Sequence, residues 1–239
     1  MPLSERRAVK GKLYLIPVAL GGEGATAVIP PVTLDAARKL RTFITENAKS
    51  ARSFLKAVGH PVPIQRIAFH TLDEHTRDVG PLLSLLLSGE DCGLMSEAGC
   101  PAVADPGAAL VRRAHEAGVV VVPLAGPSSI LLALMASGMN GQHFAFHGYL
   151  PVDKTERARK LGDIEGLSAA ATQIFIETPY RNMALLQSVL EHCRADTRLC
   201  IAADLTQPTE SVATRTIAEW KEKPPALDRR LVVFLLSRQ

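Results

Sequence analysis

The sequence predicts a two-domain α/β protein: an N-terminal, mainly parallel sheet with helices on both faces, then a C-terminal mixed α/β domain, with a ligand cleft between them. Three observations carry this. Through the first half, short β-rich runs alternate with helical patterns, the signature of βαβ units. Near the C-terminus the last two strand-like runs lie too close for a long crossover, so a mixed sheet is expected there. Two loops of small residues, Ser96 to Gly107 and Gly126-Pro127-Ser128-Ser129, each follow an apolar run and lead into a helical pattern, the layout of a ligand crevice.

In chain order, strands are predicted at Lys12–Pro17, Thr42–Glu46, Gln65–Phe69, Cys92–Ser96 and Val119–Pro123. Thr33–Leu40, Ala48–Val58, Asp73–Ser88 and Gly107–Ala117 carry helix formers with apolar positions three and four apart. With right-handed crossovers these make one doubly wound domain. Beyond Gly126, helices are predicted at Ser128–Ser137, Asp153–Leu167 and Asn182–Cys193. Strands are predicted at Phe144–Leu150, Thr172–Glu177, Arg198–Ala203, Val212–Thr216 and Leu231–Leu236. The expected division is a flexible N-terminus over residues 1–11, a first domain over 12–124 and a second over 125–239.

Composition excludes several classes. With 239 residues, 47% hydrophobic and 21% charged, the chain can bury one large core or two modest ones, and it has no low-complexity tract. The formal net charge of +3, with basic residues spread along the chain apart from Arg6-Arg7 and Arg229-Arg230, neither requires nor excludes a nucleic-acid partner. The cysteines (Cys92, Cys100, Cys193, Cys200) form no CxxC pair, so no metal is expected. Met1 to Lys12 is polar and basic without an apolar core, so no signal peptide is expected and the reducing cytoplasm is the default. The apolar stretch Val119 to Met139 is interrupted by Pro123, Gly126 and Pro127 and reads as strand, loop and helix rather than a membrane span.

Gly22-Glu23-Gly24-Ala25-Thr26-Ala27 has the form GxGxxA, and Glu46 lies near the place of a ribose-binding acid. A dinucleotide turn must open a helix directly, and Ile29-Pro30-Pro31 would stop it. The nicotinamide reading therefore stands last. No P-loop or GxSxG elbow occurs, and Ser128 and Ser129 read first as caps of the following helix. The small-residue loop from Ser96 to Gly107 is equally open to a plain turn into a helix or to a binding loop.

The run from Gly93 to Met139, GLMSEAGCPAVADPGAALVRRAHEAGVVVVPLAGPSSILLALMASGM, resembles the central signature of the tetrapyrrole methylase superfamily, the class III S-adenosylmethionine-dependent methyltransferases. It is most similar to the branch that methylates a cytidine ribose 2′-hydroxyl of small-subunit ribosomal RNA. FAFHGYLP (Phe144 to Pro151), IFIETPYR (Ile174 to Arg181) and AADLTQPTE (Ala202 to Glu210) resemble further segments of that branch, in order. The resemblance covers roughly residues 12 to 236 and implies S-adenosylmethionine in the interdomain cleft, a homodimer, and ribosomal RNA or the small ribosomal subunit as a partner. It also implies cofactor contacts from Pro17, from Gly99-Cys100-Pro101, from Ala104-Asp105-Pro106-Gly107 and from Gly126-Pro127-Ser128-Ser129. Ile176, Glu177, Ala202 and Ala203 match segments that face the adenosine in relatives. Cys100 stands where Asp or Thr is usual.

The chain departs from the branch in the first domain. Pro17-Val18-Ala19-Leu20-Gly21-Gly22-Glu23-Gly24 replaces a shorter loop that carries an Asn, and Thr45-Glu46-Asn47-Ala48-Lys49 puts neutral Asn47 in the place of an acid. Methyl transfer to a ribose hydroxyl needs alignment, exclusion of water and a base for the hydroxyl proton; it requires no metal. The carboxylates available as base are Glu46, Glu97 and Glu177, each of which could equally be a structural acceptor. Asn47 and Arg181 are the candidate substrate contacts, Arg181 through phosphate or carboxylate. The expected function is methylation of a ribose 2′-hydroxyl of ribosomal RNA. The alternatives are methylation of a tetrapyrrole or other small molecule, and S-adenosylmethionine binding without catalysis. The last strand-like run ends shortly before Gln239, which is expected to leave no room for an added RNA-binding domain, so RNA recognition is expected to fall to the dimer's own surface.

Overall fold

A computed structural model describes residues 9–21 and 25–238. The chain forms two compact units, Met1–Pro127 and Ser128–Gln239.

The first unit is a five-stranded sheet of order β3-β2-β4-β1-β5, parallel throughout. Its strands are β1 (Lys12–Leu15), β2 (Thr42–Thr45), β3 (Ala68–Thr71), β4 (Cys92–Met95) and β5 (Val120–Pro123). Four helices, α1 (Pro31–Lys39), α2 (Ala48–Ala57), α3 (Gly80–Leu87) and α4 (Ala108–Glu116), cover its faces. Ala37 of α1 and Phe54 and Leu55 of α2 pack on Ile16, Phe43 and Met95. Leu83 and Leu86 of α3 and Leu110 and Ala114 of α4 pack on Leu13, Ile44 and Leu94 from the other side. The chain leaving β4 thus enters a helix on the face opposite to the helices that follow its neighbours β1 and β2. Doubly wound sheets bind ligands at the C-terminal ends of strands where the helices reverse in this way.

The predicted GxGxxA stretch falls partly on residues 22–24, and the expected flexible terminus mostly on residues 1–8; both lie outside the described residues. Residues Ala25–Val28 make one 3₁₀ turn, and the helix begins only at Pro31, where a proline's fixed φ suits the first turn. Two boundaries differ from expectation. Pro63 O accepts from Arg66 N at 2.8 Å, closing a 3₁₀ turn over Ile64–Arg66, so β3 starts later than the predicted Gln65. Asp73 Oδ1 accepts from His75 N (3.1 Å) and Thr76 Oγ1 (2.7 Å), and Asp78 Oδ1 from Gly80 N (2.8 Å), which holds residues 73–79 in turns and leaves α3 shorter than predicted.

The second unit carries α5 (Ser129–Ser137), β6 (Phe144–Tyr149), α6 (Lys154–Leu167), β7 (Thr172–Ile176), α7 (Asn182–His192), β8 (Arg198–Ala203), β9 (Ser211–Thr216), α8 (Ile217–Glu222) and β10 (Val232–Ser237). The sheet is mixed, of order β6-β7-β10-β8-β9, with only β6 and β7 parallel. Leu161 and Ile164 of α6, Leu185 and Val189 of α7 and Trp220 of α8 close one face over Phe175, Leu199, Ile201 and Phe234. α5 packs on β8, β9 and β10, and its Ser137 O accepts from Thr214 Oγ1 at 2.7 Å. α8 was not predicted; its signal is the Thr216–Glu219 capping box, in which Thr216 N donates to Glu219 Oε2 at 2.7 Å. Among the described residues no helix is long and apolar enough to cross a membrane.

All four cysteines are free. Burial, then the charges of Glu90 and Asp91, pushes the Cys92 thiol up to about 12, and burial does the same to Cys193. Both are inert at neutral pH.

Candidate functional site

Three loops meet at the C-terminal end of the first unit's sheet. After β1, Val18 exchanges backbone hydrogen bonds with Gly99 of the loop after β4 (2.9 and 3.2 Å). Cys100 Sγ donates to Pro127 O at 3.5 Å, tying that loop to the segment after β5. Thr33 Oγ1 of α1 donates to Ala125 O at 2.7 Å and holds the same segment from the other side. The predicted residues Pro17, Gly99 to Pro101 and Gly126-Pro127 are therefore together. Glycine is required at Gly126, where a Cβ would stand 2.3 Å from Pro17 Cβ, an approach no real pair of carbons makes.

The loop after β4 has unusual backbone. Gly99, Ala102, Ala104 and Gly107 all have positive φ (69°, 65°, 63° and 141°). Left-handed residues other than glycine are uncommon and concentrate at binding sites. Left-handed residues interspersed along a loop turn neighbouring backbone N–H groups into anion-binding nests. Ser96 Oγ donates to Ala98 O at 3.2 Å, and burial pushes the Asp105 carboxyl up, with the charge of Glu97 adding to the rise.

Beside this loop the ends of β2 and β3 bring further acids together. Burial raises the Glu46 carboxyl above its ordinary range, and the charges of Asp105, Glu97, Glu74 and Asp73 raise it further, in that order. Two of the predicted carboxylates, Glu46 and Glu97, thus share one electrostatic environment. Asp105, Asp73 and Glu74 belong to it as well, although none was singled out as a base. Their grouping follows from strand order, since β2 lies between β3 and β4. Asn47 caps α2, its Oδ1 accepting from Lys49 N at 2.9 Å. Thr45 Oγ1, beside Glu46, is buried without a hydrogen-bond partner among the described residues, and nothing in the sequence marks it.

The second unit's candidates are placed differently. Glu177 follows β7 with a fully buried side chain, and its Oε1 accepts from Thr178 N (2.7 Å) and from Arg181 Nε (3.0 Å) and Nη2 (2.7 Å). Its other oxygen is buried and unpartnered. Arg181 is about a third exposed (37%), so it covers Glu177 while keeping one side toward solvent. Arg181→Ala would strand a buried carboxylate and is expected to destabilise the second unit by about 3 kcal/mol, read as a shift in the urea midpoint. Ile176 is half-buried. Ala202 and Ala203 are fully buried within β8, between β10 and β9, and Ala203 joins the core. Neither offers surface to a ligand, so the contact implied for them at the sequence level is not available. Ser128 occupies the N-cap of α5, but its side chain makes no cap hydrogen bond, so its hydroxyl and that of Ser129 are not engaged in the capping expected of them.

The family model of the tetrapyrrole (corrin/porphyrin) methylases matches residues 12–221. The chain belongs to the tetrapyrrole methylase family. This methylase is 32% identical, over 87% of its length and 69% of the relative's, to the ribosomal RNA small subunit methyltransferase I of Vibrio cholerae. It is 33% identical, over 93% of its length and 73% of the relative's, to the protein of the same name in Mesorhizobium japonicum. Among solved structures it shares its fold with the methyltransferase CobJ (TM-score 0.64, 16% identity, 95% and 94% of the two chains). The uroporphyrin-III-C-methyltransferase of Thermus thermophilus is also similar (TM-score 0.58, 17% identity, 96% and 95%). The methylase is a two-domain α/β enzyme of the methyltransferase class.

Proposed function

We propose that this methylase transfers a methyl group from S-adenosylmethionine to a ribose 2′-hydroxyl of small-subunit ribosomal RNA, in the cytoplasm and as a homodimer. The observation that carries the reading is the joining of the loops after β1, β4 and β5 at the C-terminal end of the first unit's sheet. That both relatives described above are ribosomal RNA small subunit methyltransferases supports the RNA. The homodimer rests on the family resemblance, and exposed Leu131 and Met135 of α5 offer a second copy an apolar surface; sedimentation velocity reads it directly.

The residues present fit the cofactor. Left-handed Ala102 and Ala104 favour N–H groups turned toward a carboxylate, the missing Cβ at Gly126 lets the loops after β1 and β5 close on each other, and Thr45 Oγ1 is a buried hydroxyl in want of a partner. The cofactor-holding set on the first unit is Pro17, Gly99, Cys100, Pro101, Ala104, Asp105, Pro106, Gly107, Gly126 and Pro127. Ser128, Ser129, Ile176 and Glu177 are the second unit's candidates. When bound, S-adenosylmethionine supplies a methyl group on a sulfonium leaving group. The protein's part is to position the acceptor, exclude water and take the hydroxyl proton.

Glu46 is the base this geometry favours. Its carboxyl is raised above the ordinary range yet not sealed from solvent, whereas Glu177 is committed to Arg181. Glu97 acts through its charge on Glu46. Asn47 and Arg181 remain the proposed substrate contacts.

The deciding experiment is calorimetric titration with S-adenosylhomocysteine followed by radiolabelled methyl transfer to small ribosomal subunits. Micromolar binding, about 8 kcal/mol, with label appearing in RNA supports the reading; label in a small-molecule fraction alone overturns the acceptor. Gly126→Ala is expected to weaken S-adenosylhomocysteine binding about tenfold or more, because the two loops must separate to admit the methyl group. Unaltered affinity would remove this loop from the site.

A further inference from the structure

Along the chain the cations look dispersed, yet one window is strongly one-sided. Between Ala36 and Leu72 the sequence holds Arg38, Lys39, Arg41, Lys49, Arg52, Lys56 and Arg66 against a single acid, Glu46. The excess within this window is larger than the whole chain's net charge of +3. The fold gives these cations a surface. Ala51, Phe54 and Leu55 of α2 are buried against the sheet, which turns Lys49, Arg52 and Lys56, spaced three and four residues apart, onto one exposed stripe. None of the three has an ion-pair partner among the described residues.

The stripe is partly organised. Arg52 lies with its guanidinium 4.9 Å from the ring centroid of Phe69 on the edge strand β3, a cation–π contact that orients it. Exposed Arg66, in the turn that leads into β3, extends the basic surface beyond the helix. At its N-terminal end α2 begins directly after Glu46 and Asn47, so the cations run outward from the proposed base. The acids of this unit that face Glu46 gather past the strand ends instead.

We propose that the outward face of α2, with Lys49, Arg52 and Lys56 and with Arg66 beside them, holds the phosphate backbone of the RNA whose ribose is methylated. This rests on the RNA acceptor proposed above. A membrane surface fits less well, because an interfacial helix inserts an apolar face, and the apolar face of α2 is consumed by the core. Point charges on a helix give non-specific phosphate contacts that fix register and leave base reading to other groups.

The test measures binding of a fluorescein-labelled single-stranded oligoribonucleotide across a salt series, with S-adenosylhomocysteine titrated in parallel. The variant is Lys49→Gln/Arg52→Gln/Lys56→Gln, all at exposed positions and all replaced by a helix former. The control, Lys154→Gln/Arg159→Gln/Lys221→Gln, removes equal charge from exposed positions of the second unit. Loss of three phosphate contacts is expected to lower RNA affinity about a hundredfold near 0.1 M salt and to reduce the salt slope by about 2. The control should bind RNA as the wild type does, and the S-adenosylhomocysteine affinity should hold in both. If the wild type binds RNA and the α2 variant matches it in affinity and slope, this surface is wrong while the RNA acceptor stands. If the wild type binds S-adenosylhomocysteine but no RNA even at low salt, the acceptor falls and the surface with it. Capture of the wild type by phosphatidylserine vesicles in place of RNA assigns the stripe to a membrane and overturns the inference.

Discussion

Glu46→Gln is expected to slow single-turnover methyl transfer to RNA by about 10²- to 10⁴-fold, the usual contribution of a positioned base, while S-adenosylhomocysteine binds as before. The carboxyl stands at the end of β2, where burial and then the charges of Asp105, Glu97, Glu74 and Asp73 raise it. A stronger base takes the hydroxyl proton more readily, provided that it is ionised at working pH. Only the deprotonated form acts, so the rate should rise with pH through the raised value and level off above it. Asp105→Asn removes the largest of the neighbouring charges. The Glu46 carboxyl then falls toward its ordinary range, the rising limb moves to lower pH, and the plateau drops because the base is weaker. Glu97→Gln should move the limb the same way by less. A limb that stays put in both variants, or that survives in Glu46→Gln, would show that another group takes the proton.

For stability the largest expected effect is at Phe234. It is fully buried at the centre of β10, paired to Phe175 of β7 and Ile201 of β8, and its ring stacks on that of Phe175 with centroids 5.7 Å apart and planes 8° from parallel. Phe234→Ala opens a cavity where α6, α7 and α8 close over the sheet, and it should cost about 3–5 kcal/mol. Phe234→Leu keeps most of the volume and should cost less than about 1.5 kcal/mol. Urea unfolding followed by Trp220 fluorescence reads both, since Trp220 belongs to the same core and donates from Nε1 to Leu199 O at 2.8 Å. An alanine variant that lost under about 1 kcal/mol would mean that the core relaxes around the gap.

Much of the fold was legible because it depends on short-range patterns. The alternation of apolar runs with helical spacing marked the five parallel strands. The second sheet is mixed as expected, but not for the reason expected: β9 and β10 both run antiparallel to β8, which lies between them, so the connection before Val232 is a crossover through α8. Boundaries failed where side chains competed with the regular pattern. Asp73 and Asp78 drew the backbone into turns ahead of α3, and Pro63 closed a turn ahead of β3. α8 is a short helix whose one local signal is its capping box, too short a pattern to show helical spacing. It lies in the connection from β9 to β10, which pairs with β7 and β8 and not with β9.

At the site, glycine and proline in the loops after β4 and β5 were readable, since those residues mark backbone that other residues resist. The burial of Ala202 and Ala203 was not, because a match to a motif carries no information on which strand is central. By itself the sequence determined the succession of strands and, α8 apart, of helices, the glycine-dependent loops and the family signature, all of which rest on local conformational preference and chain-adjacent residues. Tertiary structure alone decided that β2 lies between β3 and β4, which gathers Glu46, Glu97 and Asp105 into one electrostatic environment, and that α2 buries its apolar side and bares its cations. Both outcomes come from packing between segments distant in the chain, where charge and burial act through space and sequence separation ceases to matter.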